Sequence, residues 1–184
     1  FNLPRAYWTD YNRELISEGG GVFNRSDKTI EINEQIRQAL GIEDEVSELT
    51  PAELIRAIIA APVDLLYTGG TGTYVRSSSE TDADVRDSTN DSMRITAPEL
   101  RVKVVGEGGN LGLTHRARIE AARHGVLLNT DAVDNSAGVE TSDHEVNLKI
   151  LVDRLVDAGE ISKDERAALI EEQVCLFYTS PSPR

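Results

Sequence analysis

The stretch RVKVVGEGGNLG at residues 101–112 restricts the fold more than any other part of the chain. A β-branched apolar run enters a turn with Gly106, Gly108, Gly109 and Gly112, and a helical pattern follows it. That order dictates a strand, a tight turn and a helix. α/β proteins present nucleotide-sized ligands at such turns, on the carboxyl edge of a parallel sheet. An echo, NTDAVDNSAGV, stands at residues 129–139, and the two turns are expected to form one ligand edge.

The neighbouring segments fit a parallel sheet with crossover helices. Thr50, Pro51 and Glu53 supply an N-cap, a first-turn proline and a capping box, and Leu54, Ile55, Ile58 and Ile59 follow at helical spacing. Pro62 ends that helix, and residues 63–67, VDLLY, predict a short buried strand that breaks into Gly69-Gly70-Thr71-Gly72. Further strands are predicted at 100–105 and 126–129, with a helix at 113–124 closed by Gly125. A loop is expected over 130–138, a helix at 145–158 and a last one from Ser162 to about Gln173. Upstream, residues 28–40 read as a short extended piece and a helix stopped by Gly41, and the acidic run 41–48 reads as a solvated link. Gly19–Gly21 is left unassigned, because no Lys-Ser/Thr pair follows it as in a phosphate loop. The fold class is therefore α/β: an incomplete Rossmann-like parallel sheet with flanking helices, whose remaining strands are expected upstream.

Residues 76–96 are polar and acidic. Glu80, Asp82, Asp84, Asp87 and Asp91 suggest a cation site, but such a run is more often solvated surface, and a surface connection with one helical stretch near 82–92 is expected. The net charge of −13 argues against nucleic acid or an anionic membrane as partner. No apolar run approaches the roughly 20 residues of a membrane span. One cysteine, Cys175, and three scattered histidines exclude a disulfide framework or a zinc spacing, which fits the cytoplasm; no metal is expected. The start without Met, FNLPRAYWTDYN, reads as a cut inside a longer chain.

Taken alone, residues 106–112 can be read as the phosphate loop that opens a Rossmann fold. Asp131, 25 residues beyond Gly106, would then hold a ribose hydroxyl, but Glu107 inside the loop would repel a pyrophosphate. A different reading comes from four stretches in order, LLYTGGTGTYV, KVVGEGGNLGLT, LLNTDAVDNSAGV and SDHEVNLKIL, which resemble the large bacterial NAD-specific glutamate dehydrogenases. The resemblance covers about residues 1–174. It implies that residues 49–158 are the later half of an NAD-binding domain, with the pyrophosphate loop upstream. Residues 1–48 would be a segment packed on or inserted in that domain, and 159–174 the start of a helical region. Residues 175–184, CLFYTSPSPR, break the pattern and read as a non-native, disordered tail containing Cys175.

The resemblance also assigns roles. The superfamily's Glu-Gly-Ala-Asn turn appears as Glu107-Gly108-Gly109-Asn110, and its Asn-Ala-Gly-Gly-Val loop as Asn135-Ser136-Ala137-Gly138-Val139. Asn110, with Gly108, would sit beside the nicotinamide half of the cofactor, and Asn135 at its carboxamide or the substrate end. Gly69 and Gly70 would pass near the cofactor. Ser142 would hydrogen-bond the substrate's side-chain carboxylate, with Val139 lining the pocket. A side-chain amide suits a carboxamide because it donates and accepts at once. The competing reading makes each asparagine a turn residue bonding its own backbone, and makes Ser142 a helix cap paired with Glu145. His144 reads as structural. The family's catalytic Lys and Asp have no match here, so no catalytic residue is assigned. The implied partners are L-glutamate, 2-oxoglutarate and ammonia, with NAD as cofactor and a homo-oligomeric whole enzyme. Another NAD-dependent amino-acid dehydrogenase, or a non-catalytic regulatory domain whose glycines are mere turns, remain the alternatives.

Overall fold

The computed structural model describes residues 7–179, without the side chains of residues 137, 139–141 and 174–179. In chain order the regular elements are β1 (Ile30–Glu31), α1 (Glu34–Leu40), β2 (Glu48–Leu49), α2 (Pro51–Ile59), β3 (Leu65–Thr68), β4 (Val75–Arg76), α3 (Asp82–Val85) and β5 (Ile95–Thr96). They continue with β6 (Val104–Glu107), α4 (His115–Arg123), β7 (Leu127–Leu128), α5 (Asp131–Asp134), α6 (Ser136–Asp157) and α7 (Lys163–Thr179). Strands β3, β6 and β7 form a three-stranded sheet in that order, with β6 and β7 parallel, Val104 facing Leu127 and Val105 facing Leu128. The α/β class and the incomplete sheet are as the sequence predicts.

The chain divides into two units, the first made of residues 7–66, 72–105 and 112–128 and the second of 67–71, 106–111 and 129–179. In the first unit, α2 begins at a complete capping box. The Glu53 N–H donates to Thr50 Oγ1 at 3.3 Å, and the Thr50 N–H donates to Glu53 Oε2 at 2.8 Å. Leu54 joins a small cluster with Ile30 and Ile32, under the antiparallel β1–β2 pair, and Ile59 enters the main core. Thr50→Ala is expected to cost about 1 kcal/mol, the usual loss of an N-cap, in chemical denaturation of the chain.

The main core gathers Ile59, Val75, Ile95, Leu100, Val102, Val105 and Leu113 with Ala117 and Ala121 of α4. Thr114 caps α4 by accepting from the Ala117 N–H, and Gly125 closes it at φ +92°. The helix covers one face of the sheet. On the other face Leu65, Val104 and Leu127 are exposed, so the strands predicted as buried alternate instead between a covered and a bare side. Strand β6 also starts later than predicted. The Glu99 carboxylate accepts from the Thr96 N–H and hydroxyl, winding Ala97–Glu99 into a 3₁₀ turn, and pairing begins only at Val104.

The acidic segment 76–96 carries the expected helical stretch, as α3 and a 3₁₀ turn at Ser88–Met93, and exposes many of its residues, but it is not solvated throughout. Strands β4 and β5 pair in parallel, Met93 and Ile95 are buried, and the Arg94 side chain is fully buried among the acids. Its Nε donates to the Thr73 carbonyl at 2.8 Å, Nη1 to Asp82 at 2.9 Å and Asp91 at 2.5 Å, and Nη2 to the Asp87 carbonyl at 2.6 Å. The cation that Asp82, Asp87 and Asp91 gather around is the chain's own guanidinium, while Asp84 accepts from Thr81 and Glu80 from Ser77 and Thr114. Among the described residues no group of three or more His, Cys, Asp or Glu is placed to hold a metal ion.

In the second unit, α6 begins at Ser136, nine residues before the predicted start, so the expected loop at 130–138 is mostly α5 and the first turn of α6. Ser142 is consequently the seventh residue of a helix, is exposed, and caps nothing; Glu145 pairs instead with Lys149. Helices α6 and α7 pack together, with Val152 buried. Ser162 and Glu165 form the predicted capping box, although α7 runs on to Thr179 instead of ending near Gln173. The Cys175 side chain and residues 180–184 lie outside the described residues. No helix among the described residues is long and apolar enough to cross a membrane.

Candidate functional site

The two glycine turns at the carboxyl ends of β3 and β6 lie against each other within the second unit. The Gly109 N–H donates to the Thr68 carbonyl at 2.9 Å. A Cβ on Gly109 would stand 1.9 Å from the Gly70 carbonyl oxygen and 2.6 Å from its carbon, so only glycine permits this approach. Beside the crossing, the Thr68 hydroxyl is buried and, among the described residues, has no hydrogen-bond partner.

Helix α5 holds the β6 turn from the other side. The Leu111 N–H donates to Asp131 Oδ2 at 2.8 Å, and the Glu107 N–H donates to Asp134 Oδ2 at 3.0 Å. The Asn129 amide also donates to Asp134, at 3.2 Å. Asp131 is thus a clamp on the turn's backbone, which replaces the ribose role of the simple Rossmann reading. Glu107 closes β6 and is fully buried, so its side chain does not stand in an open loop. Leu111 is held at φ +54°, a left-handed conformation that costs a non-glycine residue about 1 kcal/mol. Such strain is found where surrounding contacts fix a backbone for function.

The structure brings Asn110 and Asn135 together. The Asn135 amide nitrogen donates to Asn110 Oδ1 at 2.6 Å, joining the β6 turn to the residue that precedes α6. Among the described residues the Asn135 side chain makes no capping bond at the start of α6. A Cβ on Gly138, in the first turn of α6, would stand 2.1 Å from Asn135 Oδ1, so glycine there leaves room for the amide. The pairing uses one donor and one acceptor, and each amide retains capacity for a ligand.

The remaining predicted residues are less concentrated. Gly70 contributes the carbonyl that Gly109 meets, and its own Cβ direction is open, while a Cβ on Gly69 would stand 3.6 Å from the Tyr67 ring. The space left by Gly108 is filled by Tyr67, whose hydroxyl would lie 2.0 Å from a Cβ there. Val139 lies in α6, but its side chain is outside the described residues. Ser142 lies a full turn further along the same helix. Sequence reasoning missed Gly109, Gly138, Asp134 and the clamping role of Asp131. The clue for the glycines was their place in the two motifs; Asp131 drew notice by its spacing from Gly106 but for a ribose, and Asp134 carried no signal.

The family described as bacterial NAD-glutamate dehydrogenase, catalytic domain, matches residues 1–175. The NAD-specific glutamate dehydrogenase of Mycobacterium tuberculosis is 55% identical over 175 residues, covering 93% of this chain and 11% of the relative. Its namesakes from Halomonas elongata and Pseudomonas aeruginosa are each 54% identical, over 94% and 92% of this chain and 10% of their own length. The chain spans about a tenth of the length of the curated relatives it matches.

Proposed function

This chain belongs to the bacterial NAD-glutamate dehydrogenase family, within its catalytic domain, and from that premise we propose that it forms part of the cofactor and substrate edge of an enzyme oxidising L-glutamate to 2-oxoglutarate and ammonia. Residues 49–158 act as the later half of its NAD-binding domain, residues 1–48 pack on or are inserted in that domain, and 159–174 open the following helical region. The catalytic lysine and aspartate are supplied from elsewhere in the polypeptide. The enzyme works in the cytoplasm as a homo-oligomer.

The observation that carries this reading is the 2.6 Å amide pair between Asn110 and Asn135, set at the glycine crossing. The residues present fit NAD: a glycine crossing admits a ligand close to backbone, and among the described residues the buried Thr68 hydroxyl lacks a partner. When bound, NAD supplies the hydride acceptor. The asparagines hold its carboxamide, since a primary amide is complementary to another, and so fix which ring face meets the substrate. Gly70 and Gly109 keep side chains out of the cofactor's path. Val139 and Ser142 extend the same edge towards the glutamate side chain.

The test is Asn135→Ala, made in a full-length family enzyme carrying this sequence. Loss of an amide contact to the carboxamide is expected to raise the KM for NAD about tenfold and to lower kcat, the kinetic equivalent of one good hydrogen bond. Unchanged constants for both NAD and glutamate would remove the asparagines from the site.

A further inference from the structure

Tyr67, the third residue of β3, is 65% exposed, yet its ring is tightly bracketed. A Cβ on Gly106 would lie 3.2 Å from Cδ2, and one on Gly108 would lie 2.0 Å from the hydroxyl and 2.4 Å from Cζ. On the opposite ring edge, a Cβ on Gly69 would lie 3.6 Å from Cε1. Gly106 in β6 and Gly108 in the turn after it therefore leave the room that one edge of the ring takes, while Gly69 stands at ordinary contact distance from the other edge. Any larger residue at Gly108 would expel it. Glycine inside or beside a strand weakens it, and an exposed aromatic ring gains little from burial. An arrangement carrying both costs needs another source of selection. The ring stands at the carboxyl ends of β3 and β6, where open parallel sheets bind their ligands, and Gly106 and Gly108 lead directly into Asn110.

We propose that Tyr67 is a positioning residue whose ring, seated in the room left by Gly106 and Gly108, forms the aromatic surface on which the planar nicotinamide ring of the cofactor rests. This rests on the preceding assignment of Asn110 and Asn135 to the nicotinamide half. The asparagines fix the ring in its plane through the carboxamide, and Tyr67 covers one face of it, leaving the other to the substrate. The contribution is made by the ring's face, so the hydroxyl is dispensable.

The experiment is a fluorescence titration of NADH, with a melting curve, on the Tyr67→Ala, Tyr67→Leu, Tyr67→Phe and Asn135→Ala variants of a full-length family enzyme carrying this sequence. The Ala and Leu variants are expected to raise the NADH Kd about tenfold, as loss of one stacking contact does, and the Phe variant less than about twofold, with melting temperatures unchanged. If Tyr67→Ala does not fold, the contrast between Leu and Phe decides. Wild-type affinity in the Leu variant overturns the proposal, as does a Phe variant as weak as Leu, or a weakening matched by a lowered melting temperature. Where Asn135→Ala weakens NADH and Tyr67→Leu does not, only the role of Tyr67 fails. Where neither does, the assignment of the whole edge fails with it.

Discussion

Gly109→Ala is expected to abolish NAD binding and to lower stability by about 3 kcal/mol, the upper part of the range for forcing a methyl into filled space. The added carbon would meet the Gly70 carbonyl at 1.9 Å, and a backbone carbonyl cannot rotate aside as a flexible side chain does. Retreat of the β6 turn would break the 2.9 Å bond from the Gly109 N–H to Thr68 and pull the Leu111 N–H from Asp131. Asn110 would be carried away from Asn135. Gly70→Ala is the matched control, because nothing lies within 4 Å of its Cβ direction and its folding cost is expected to be small. Calorimetry and NADH titration of the pair check this, and equal effects on stability would contradict the crossing of the turns.

Arg94→Met carries the second large effect, a loss of about 3 kcal/mol, the lower part of the range for breaking a buried charge pair. The lower part applies because the acids are partly exposed, at 42% for Asp82, 25% for Asp87 and 40% for Asp91, while the arginine is wholly buried. Methionine fills much of the volume but withdraws the guanidinium's bonds from the Asp82 and Asp91 carboxylates and from the Thr73 and Asp87 carbonyls. Lysine should rescue little, since one ammonium cannot reach groups that a planar fork joins. The Arg94 hydrogen bond holds the Asp82 carboxyl below its ordinary range, and bonds from Asn90 and the Thr73 N–H do so for Asp87. For Arg94 itself, burial disfavours the charge, and the bonds and charges of Asp91 and Asp82 more than offset it, raising its pKa. Depressed carboxylates contribute stability above their unfolded pKa of about 3.9 and lose it as pH falls through the folded value. The variant's deficit in urea denaturation should therefore be full at pH 7 and shrink below about pH 4. A deficit independent of pH would mean that packing, not charge, sets it.

The elements legible in the sequence were those whose signals are local. The Thr50–Glu53 box started α2, Gly125 closed α4, and the apolar runs placed the sheet strands to within a few residues. What escaped depends on partners far along the chain. The acids at 76–96 resembled a solvated run because the buried Arg94 that organises them looks, in sequence, like one more surface charge. The Ser142–Glu145 pair imitated a helix start, but nothing between Ser136 and Ser142 breaks a helix strongly enough to delay it. The meeting of Asn110 with Asn135 followed from family resemblance, because 25 residues and two turns separate them and no periodicity joins them. The aspartate clamps and the seat of Tyr67 carry no local signal, since each depends on which backbone a side chain reaches.

The most direct measurement is a cryo-electron microscopy map of a full-length family enzyme carrying this sequence, with NAD and 2-oxoglutarate bound. The nicotinamide carboxamide is expected within hydrogen-bonding distance, roughly 3 Å, of the Asn110 or Asn135 amide. Its ring is expected over the glycine crossing formed by Gly70 and Gly109. Cofactor density that contacts neither asparagine and passes away from both turns would contradict the account.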